Sequence, residues 1–107
     1  MTVQFDNEDE MPRWDVALAA LITEKHQNKG RPLHNDDFLR LAEKYAIRFD
    51  DIMDTVLRLV IHGKWVYRDV DGHARPVTRE AFERMHKGGR LVRSDLKEYD
   101  GSWAPAD

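Results

Sequence analysis

The sequence predicts a mainly α fold with a small β-hairpin, an α+β domain built on three helices. Three observations predict it. Apolar residues recur at helical spacing in three successive segments between residues 12 and 62. Each segment ends on a stop or break signal, the first at Asn28 and Gly30, the third at His62-Gly63. Beyond Gly63 the apolar period shortens to two, in Lys64-Trp65-Val66-Tyr67-Arg68. A chain of 107 residues has material for one core and no more.

In order, residues 1–11 carry four acidic groups and match no periodic pattern, so they are expected as a flexible acidic arm. Pro12 suits the first turn of a helix, where its missing N–H has no intrahelical partner. Trp14, Leu18, Leu21 and Ile22 then make the first apolar stripe. Pro32 pushes Arg31 out of the helical region, giving a short extended connector. Asn35 is expected as the N-cap of a second helix over 36–45, with Asp36 and Asp37 at the positive end of its dipole. Its stripe is Phe38, Leu41, Ala42 and Tyr45. After a tight break at Ala46-Ile47-Arg48, Asp50 or Asp51 is expected to cap a third helix with Ile52, Met53, Val56, Leu57 and Val60 inward. Lys64–Arg68 and His73–Arg75 pair across Asp69-Val70-Asp71-Gly72 as a hairpin, with Pro76 at the strand end. Thr78 caps a short C-terminal helix with Ala81, Phe82 and Met85 inward, stopped by Gly88-Gly89. A brief strand is expected at 90–93. The organisation is an arm (1–11), a domain (12–93) and a mostly extended tail (94–107).

Composition narrows the functional classes. Cysteine is absent, which removes disulfides, thiolate metal sites and a thiol nucleophile and fits a cytoplasmic protein. No apolar run approaches the roughly 20 residues of a membrane span. Net charge is −3 but unevenly spread. Residues 1–57 hold seven basic and twelve acidic groups, residues 58–97 ten basic and five acidic, and the last ten residues three acidic and none basic. A polyanion would therefore meet the second half of the chain.

The order helix, extended connector, helix, tight turn, helix, hairpin resembles the winged helix-turn-helix superfamily over residues 12–77. The segment FLRLAEKYAIRFDDIMDTVL is similar to its central unit. Ala42 stands where that unit takes a small residue, Leu41, Ile47, Ile52 and Val56 fall at or near its buried positions, and Lys64 to Pro76 would be the wing. The resemblance implies a winged-helix-like three-helix core plus wing and a short C-terminal helix. It departs in two places: Ala46 replaces the glycine often found in the turn, and the helix that would enter a DNA groove starts Arg48-Phe49-Asp50-Asp51-Ile52-Met53-Asp54. Asp50, Asp51 and Asp54 would face phosphate with Arg48, Thr55 and Arg58 as the offset, so orthodox recognition-helix binding is disfavoured. Read as structure alone, Asp50 and Asp51 serve the helix dipole and Asp54 pairs with Arg58 at i, i+4.

A basic set, Arg68, Arg75, Arg79, Arg84, Lys87, Arg90, Arg93 and Lys97, offers an alternative surface for phosphate or an acidic protein. It equally suits a solvated face paired with Asp69, Asp71, Glu80 and Glu83. Asp69-Val70-Asp71-Gly72 with Glu80 has part of a calcium-loop spacing. His73 at a ligand position, Ala74 at the glycine position and Pro76 break the pattern. The five histidines form no close metal-binding pair. Serine occurs only at Ser94 and Ser102, and no glycine-rich phosphate loop is present. No catalytic, cofactor or metal residues are therefore assigned, and the chain is not read as an enzyme. The expected function is a regulatory, non-catalytic interaction protein with a protein partner. The partner-binding candidates are Asp50, Asp51, Asp54, Arg58, Arg68, Arg75, Arg79, Arg84, Lys87, Arg90 and Arg93. The alternative is a DNA-binding transcriptional regulator using the wing and basic C-terminal segment, and a third is an accessory subunit or unrecognised enzyme.

Overall fold

The first helix, α1, runs Val16–Lys29 with Asp15 as its N-cap, whose Oδ1 accepts from the Leu18 N–H at 3.0 Å. It thus begins after Trp14, where Asp15 supplies the side-chain acceptor that orphan N–H groups require. The computed structural model describes residues 14–85, 91 and 93–106, so the expected arm, Pro12 and the Gly88-Gly89 stop lie outside the described residues. Gly30, left-handed at φ 67°, closes α1 and donates to His26 C=O.

The second helix, α2, spans Asn35–Tyr45. Its N-cap is His34, not Asn35, which is drawn inward by other bonds. The backbone supplies the cap: Asp37 N–H donates to His34 C=O and Asp37 Oδ2 accepts from His34 N–H, both at 2.9 Å. The helix ends at Ala46, left-handed at φ 54°. That conformation crowds an L-residue's Cβ, and it reverses the chain within three residues. The third helix, α3, spans Phe49–Ile61, so its N-cap is Arg48 rather than Asp50 or Asp51, which occupy the first turn. Among the described residues, no helix is long and apolar enough to cross a membrane.

After Gly63, positive in φ at 76°, the chain makes β1 (Trp65–Arg68) and β2 (Ala74–Arg75), paired antiparallel with Tyr67 opposite Arg75. The alternation in the sequence is met: Trp65 and Tyr67 are buried and Arg68 is exposed. A short helix, α4 (Arg79–Met85), follows, with Thr78 Oγ1 accepting from Ala81 N–H at 3.0 Å. Ala81 is buried and Phe82 and Met85 pack against the core, as their spacing predicts.

Residues 94–106 depart in part from the mostly extended tail expected from the sequence. Arg93–Tyr99 is a 3-10 segment kinked at Leu96, so it also replaces the end of the strand expected at 90–93. Ser102–Pro105 forms a third strand, β3. The sheet order is β2-β1-β3, with β3 antiparallel to β1 and Tyr67 opposite Trp103. Trp103 also exchanges two backbone bonds of 2.8 Å with Leu33 of the connector. The result is helical with a small three-stranded antiparallel sheet, an arrangement compatible with a winged-helix-like fold.

A fully buried Trp103 explains why this segment folds in. Its indole meets Tyr67 at 4.6 Å between ring centroids, and Tyr67 meets Tyr99 edge-on at 5.1 Å. Trp103 Nε1–H donates to Asn35 Oδ1 and Asn35 Nδ2 donates to Tyr99 C=O, each at 2.9 Å. Gly101 N–H donates to Tyr67 Oη, and Gly101 C=O lies 2.9 Å from His34 Nδ1. The Trp103 indole N–H, the Asn35 amide and the Tyr67 hydroxyl thus each have a partner, as burial demands.

Candidate functional site

Helix α3 is the central element of the core. Ile52, Met53, Val56 and Leu57 are inaccessible, and Thr55 and Leu59 are nearly so. Thr55 satisfies its hydroxyl by donating to Asp51 C=O at 3.0 Å. Of the thirteen residues of α3 only Asp51 is exposed, while Asp50, Asp54 and Arg58 are half-buried. The C-terminal half of the polar edge is closed by pairing: Arg58 Nε lies 2.9 Å from Asp54 Oδ2, and its guanidinium sits 4.9 Å from the centre of the Phe82 ring of α4. The i, i+4 pair read from the sequence is thus formed, with a cation–π contact from a later element. What remains for a partner at this end is the entry to α3, where Asp50 and Asp51 follow the turn from Tyr45, itself 46% exposed.

The basic candidates are dispersed rather than gathered. Arg68 and Arg75 both attend the hairpin turn. Arg75 Nε donates to Asp69 Oδ2 at 2.7 Å, and Arg68 Nη1 lies 3.5 Å from Gly72 C=O. Arg79 opens α4 and is exposed. Arg84 pairs with Glu98 at 3.5 Å across an open groove of about 380 Å³, lined also by Met85, Ser94, Lys97 and Tyr99. Lys87 and Arg90 lie outside the described residues, as does the side chain of Arg93. The acids expected to pair with this set do so in part, through Asp69 and, unforeseen, Glu98.

The hairpin turn is organised by Asp69. Its Oδ1 accepts from the N–H groups of Asp71 and His73, each at 3.0 Å. The bond from Arg75, above all, holds its carboxyl below the usual range, and the His73 N–H adds to this. Among the described residues, Asp69, Asp71 and His73 are the group whose ligand atoms, within 4.8 Å of one another, could hold a metal ion. Both Asp69 oxygens already accept bonds, and a cation here would compete with the Arg75 guanidinium for Oδ2. The exposed Val70, 78% accessible at the tip of the turn, contributes no ligand.

Sequence reasoning missed a second charged assembly. Asp37, in the first turn of α2, is buried and lies within 3.5 Å of Lys29, Arg31 and Arg40. The three cations are scattered over α1, the connector and α2, and only the α1–α2 packing unites them. Their sole signal is that a carboxylate at a helix start attracts donors. No family model, no curated protein and no solved structure matches the chain.

Proposed function

We propose that the chain is a non-catalytic, winged-helix-like interaction module of the cytoplasm that binds a protein partner through the acidic entry to α3. The observation that supports this reading is the enclosure of α3. A helix that reads DNA must offer a face to the major groove, whereas α3 has Asp51 as its one exposed residue, the others being buried or half-buried. Asp50 and Asp51 repel phosphate but suit a basic protein surface, and Tyr45, exposed at the end of α2, is of a type frequent as an interface anchor. A DNA-binding regulator working through wing and C-terminal segment is the second reading. In its favour are Arg68 and Arg75 on the hairpin, although Arg75 is committed to Asp69.

The test compares the native chain with Asp50→Lys/Asp51→Lys. Fluorescence anisotropy with a duplex at about 0.15 M salt, where screening acts beyond ~8 Å, is expected to show no micromolar binding by the native chain. Protein companions cross-linked in nuclease-treated lysate are expected to be lost in the variant, through slower encounter with a basic surface. Micromolar or tighter duplex binding by the native chain, with a steep salt dependence, reverses the order of the two readings.

A further inference from the structure

Where α1 gives way to α2, three cations converge on one buried carboxylate. Lys29 Nζ lies 3.4 Å and Arg40 Nη1 3.3 Å from Asp37 Oδ1, and Arg31 Nη1 lies 3.5 Å from Oδ2. The Asp37 side chain is 2% exposed, whereas Lys29, Arg31 and Arg40 are 31%, 47% and 65% exposed. Burial pushes the Asp37 carboxyl upward, but the His34 N–H bond and the Lys29 and Arg31 charges outweigh it, leaving it below its ordinary value. One permanent negative charge therefore gathers three positive heads, and a surplus of two faces solvent.

We propose that Lys29, Arg31 and Arg40 form a binding site for a phosphate monoester. Such a group presents three acceptor oxygens and about −1.5 to −2 charge at neutral pH, which matches three donor heads and a surplus of two. A phosphodiester, with two free oxygens and one charge, matches less well. So does a carboxylate, whose single charge leaves part of that surplus unmet. Two of the three heads are guanidinium groups, whose planar fork suits phosphate oxygens. The buried Asp37 holds the heads near one another before a ligand arrives, so less freedom is lost on binding. Asp36, exposed beside Asp37 in sequence, subtracts from the field of the three heads. The site goes beyond the reading of α3 and does not depend on it. The same chemistry could come from a phosphorylated side chain of a partner protein or from a small phosphorylated molecule.

The experiment is an amide and arginine side-chain NMR titration of the full chain with inorganic phosphate, chloride being adjusted to keep ionic strength constant. A second arm uses a phosphoserine peptide and its unphosphorylated counterpart. Saturable shifts are expected around residues 29–40, with half-saturation near ~1–10 mM phosphate. Arg40→Gln and Lys29→Gln, both at exposed heads, should each weaken binding by roughly fivefold to tenfold, the loss of one charge-assisted bond. The same spectra report whether each variant keeps its fold. A phosphopeptide binding more tightly than inorganic phosphate supports the site and assigns it to a modified protein. Phosphate binding with no gain from the peptide supports it as a site for a small molecule. Shifts that fail to saturate by about 50 mM, shifts unchanged in both variants, or a peptide that binds equally without its phosphoryl group would each overturn the proposal.

Discussion

Replacing Asn35 by alanine strikes a side chain that ties α2 to the C-terminal segment. The change leaves the Trp103 Nε1–H, in a residue with no solvent access, without its acceptor at 2.9 Å, and Tyr99 C=O without its donor at 2.9 Å. A buried group left unsatisfied costs about 1–3 kcal/mol. The Tyr99 carbonyl belongs to a half-buried residue and can recruit water, so its share is the smaller. Alanine regains about 0.5 kcal/mol of helix propensity over asparagine. The net loss is about 1–3 kcal/mol, or roughly 5–15 °C in melting temperature for a domain of this size. Urea unfolding followed by tryptophan fluorescence measures it, and the m-value should stay constant if the native fold is retained. Trp103→Phe removes the same donor from the other side, so a double-mutant cycle should return about 1–2 kcal/mol of coupling between the two positions. Asn28→Ala, at an exposed site in α1, is the control and should be nearly neutral. A loss below about 0.5 kcal/mol in Asn35→Ala, or an additive cycle, would refute the view that this bond pins the tail to the core.

Other substitutions test neighbouring parts of the same structure. Gly101→Ala places a methyl against the Arg68 carbonyl oxygen and 2.8 Å from the Asp69 backbone, so β1 and the 99–102 turn must part; a loss of about 3 kcal/mol is expected in thermal or urea unfolding. Ala46→Gly relieves the left-handed strain at φ 54° and is expected to raise stability by roughly 0.5–1 kcal/mol, and a decrease would show the strain to be absent. Because the folded Asp37 pKa is depressed, its stabilising contribution is complete above the unfolded value of about 3.9 and is lost as pH falls through the lower folded value. The stability difference between the native chain and Asp37→Asn should thus be constant above about pH 5 and shrink below about pH 4 in acid unfolding series.

The elements legible in the sequence are those whose burial is written locally. Helix α3 is legible because Ile52, Met53, Val56 and Leu57 form one broad face, all of it inaccessible in the structure. Strand β1 is legible because Trp65 and Tyr67 alternate with Val66 and Arg68. Cap assignments shift by one or two residues when a good capping side chain is claimed elsewhere. Asn35 turns inward to Trp103, and the left-handed Ala46 starts α3 at Phe49, before either aspartate can cap it. Strand β3 was hidden because Ser102–Pro105 contains one large apolar residue and so no period to read. Its formation is decided at long range, by Trp103 filling the space between Tyr67, Tyr99 and Asn35. The dispersed pairing of the basic set had the same cause, since Arg84 meets Glu98 only after that segment has folded back.

The position of α3 also limits what any function of this domain can be. Its inward face supplies four of the inaccessible side chains of the core, each worth about 1.5–3 kcal/mol of burial. Against a total stability of about 5–15 kcal/mol, α3 cannot swing outward to meet a ligand without unfolding the domain. Recognition must therefore use surfaces that surround α3 while leaving it in place. Three such surfaces differ in sign and rigidity. The entry to α3 is acidic, set by Asp50 and Asp51 on a turn fixed by Ala46. The hairpin carries Arg68 and Arg75 around Asp69, with Val70 projecting at its tip. The α1–α2 junction holds Lys29, Arg31 and Arg40 on the buried Asp37. Of the three, the junction has the most fixed geometry, because its anchoring carboxylate is buried and bonded to the backbone. The hairpin is the most exposed. The acidic entry and the junction stand at opposite ends of α2, about 16 Å apart along its axis, so a partner would need to span that helix to engage both. Linking two modest contacts in this way raises affinity without any new bond.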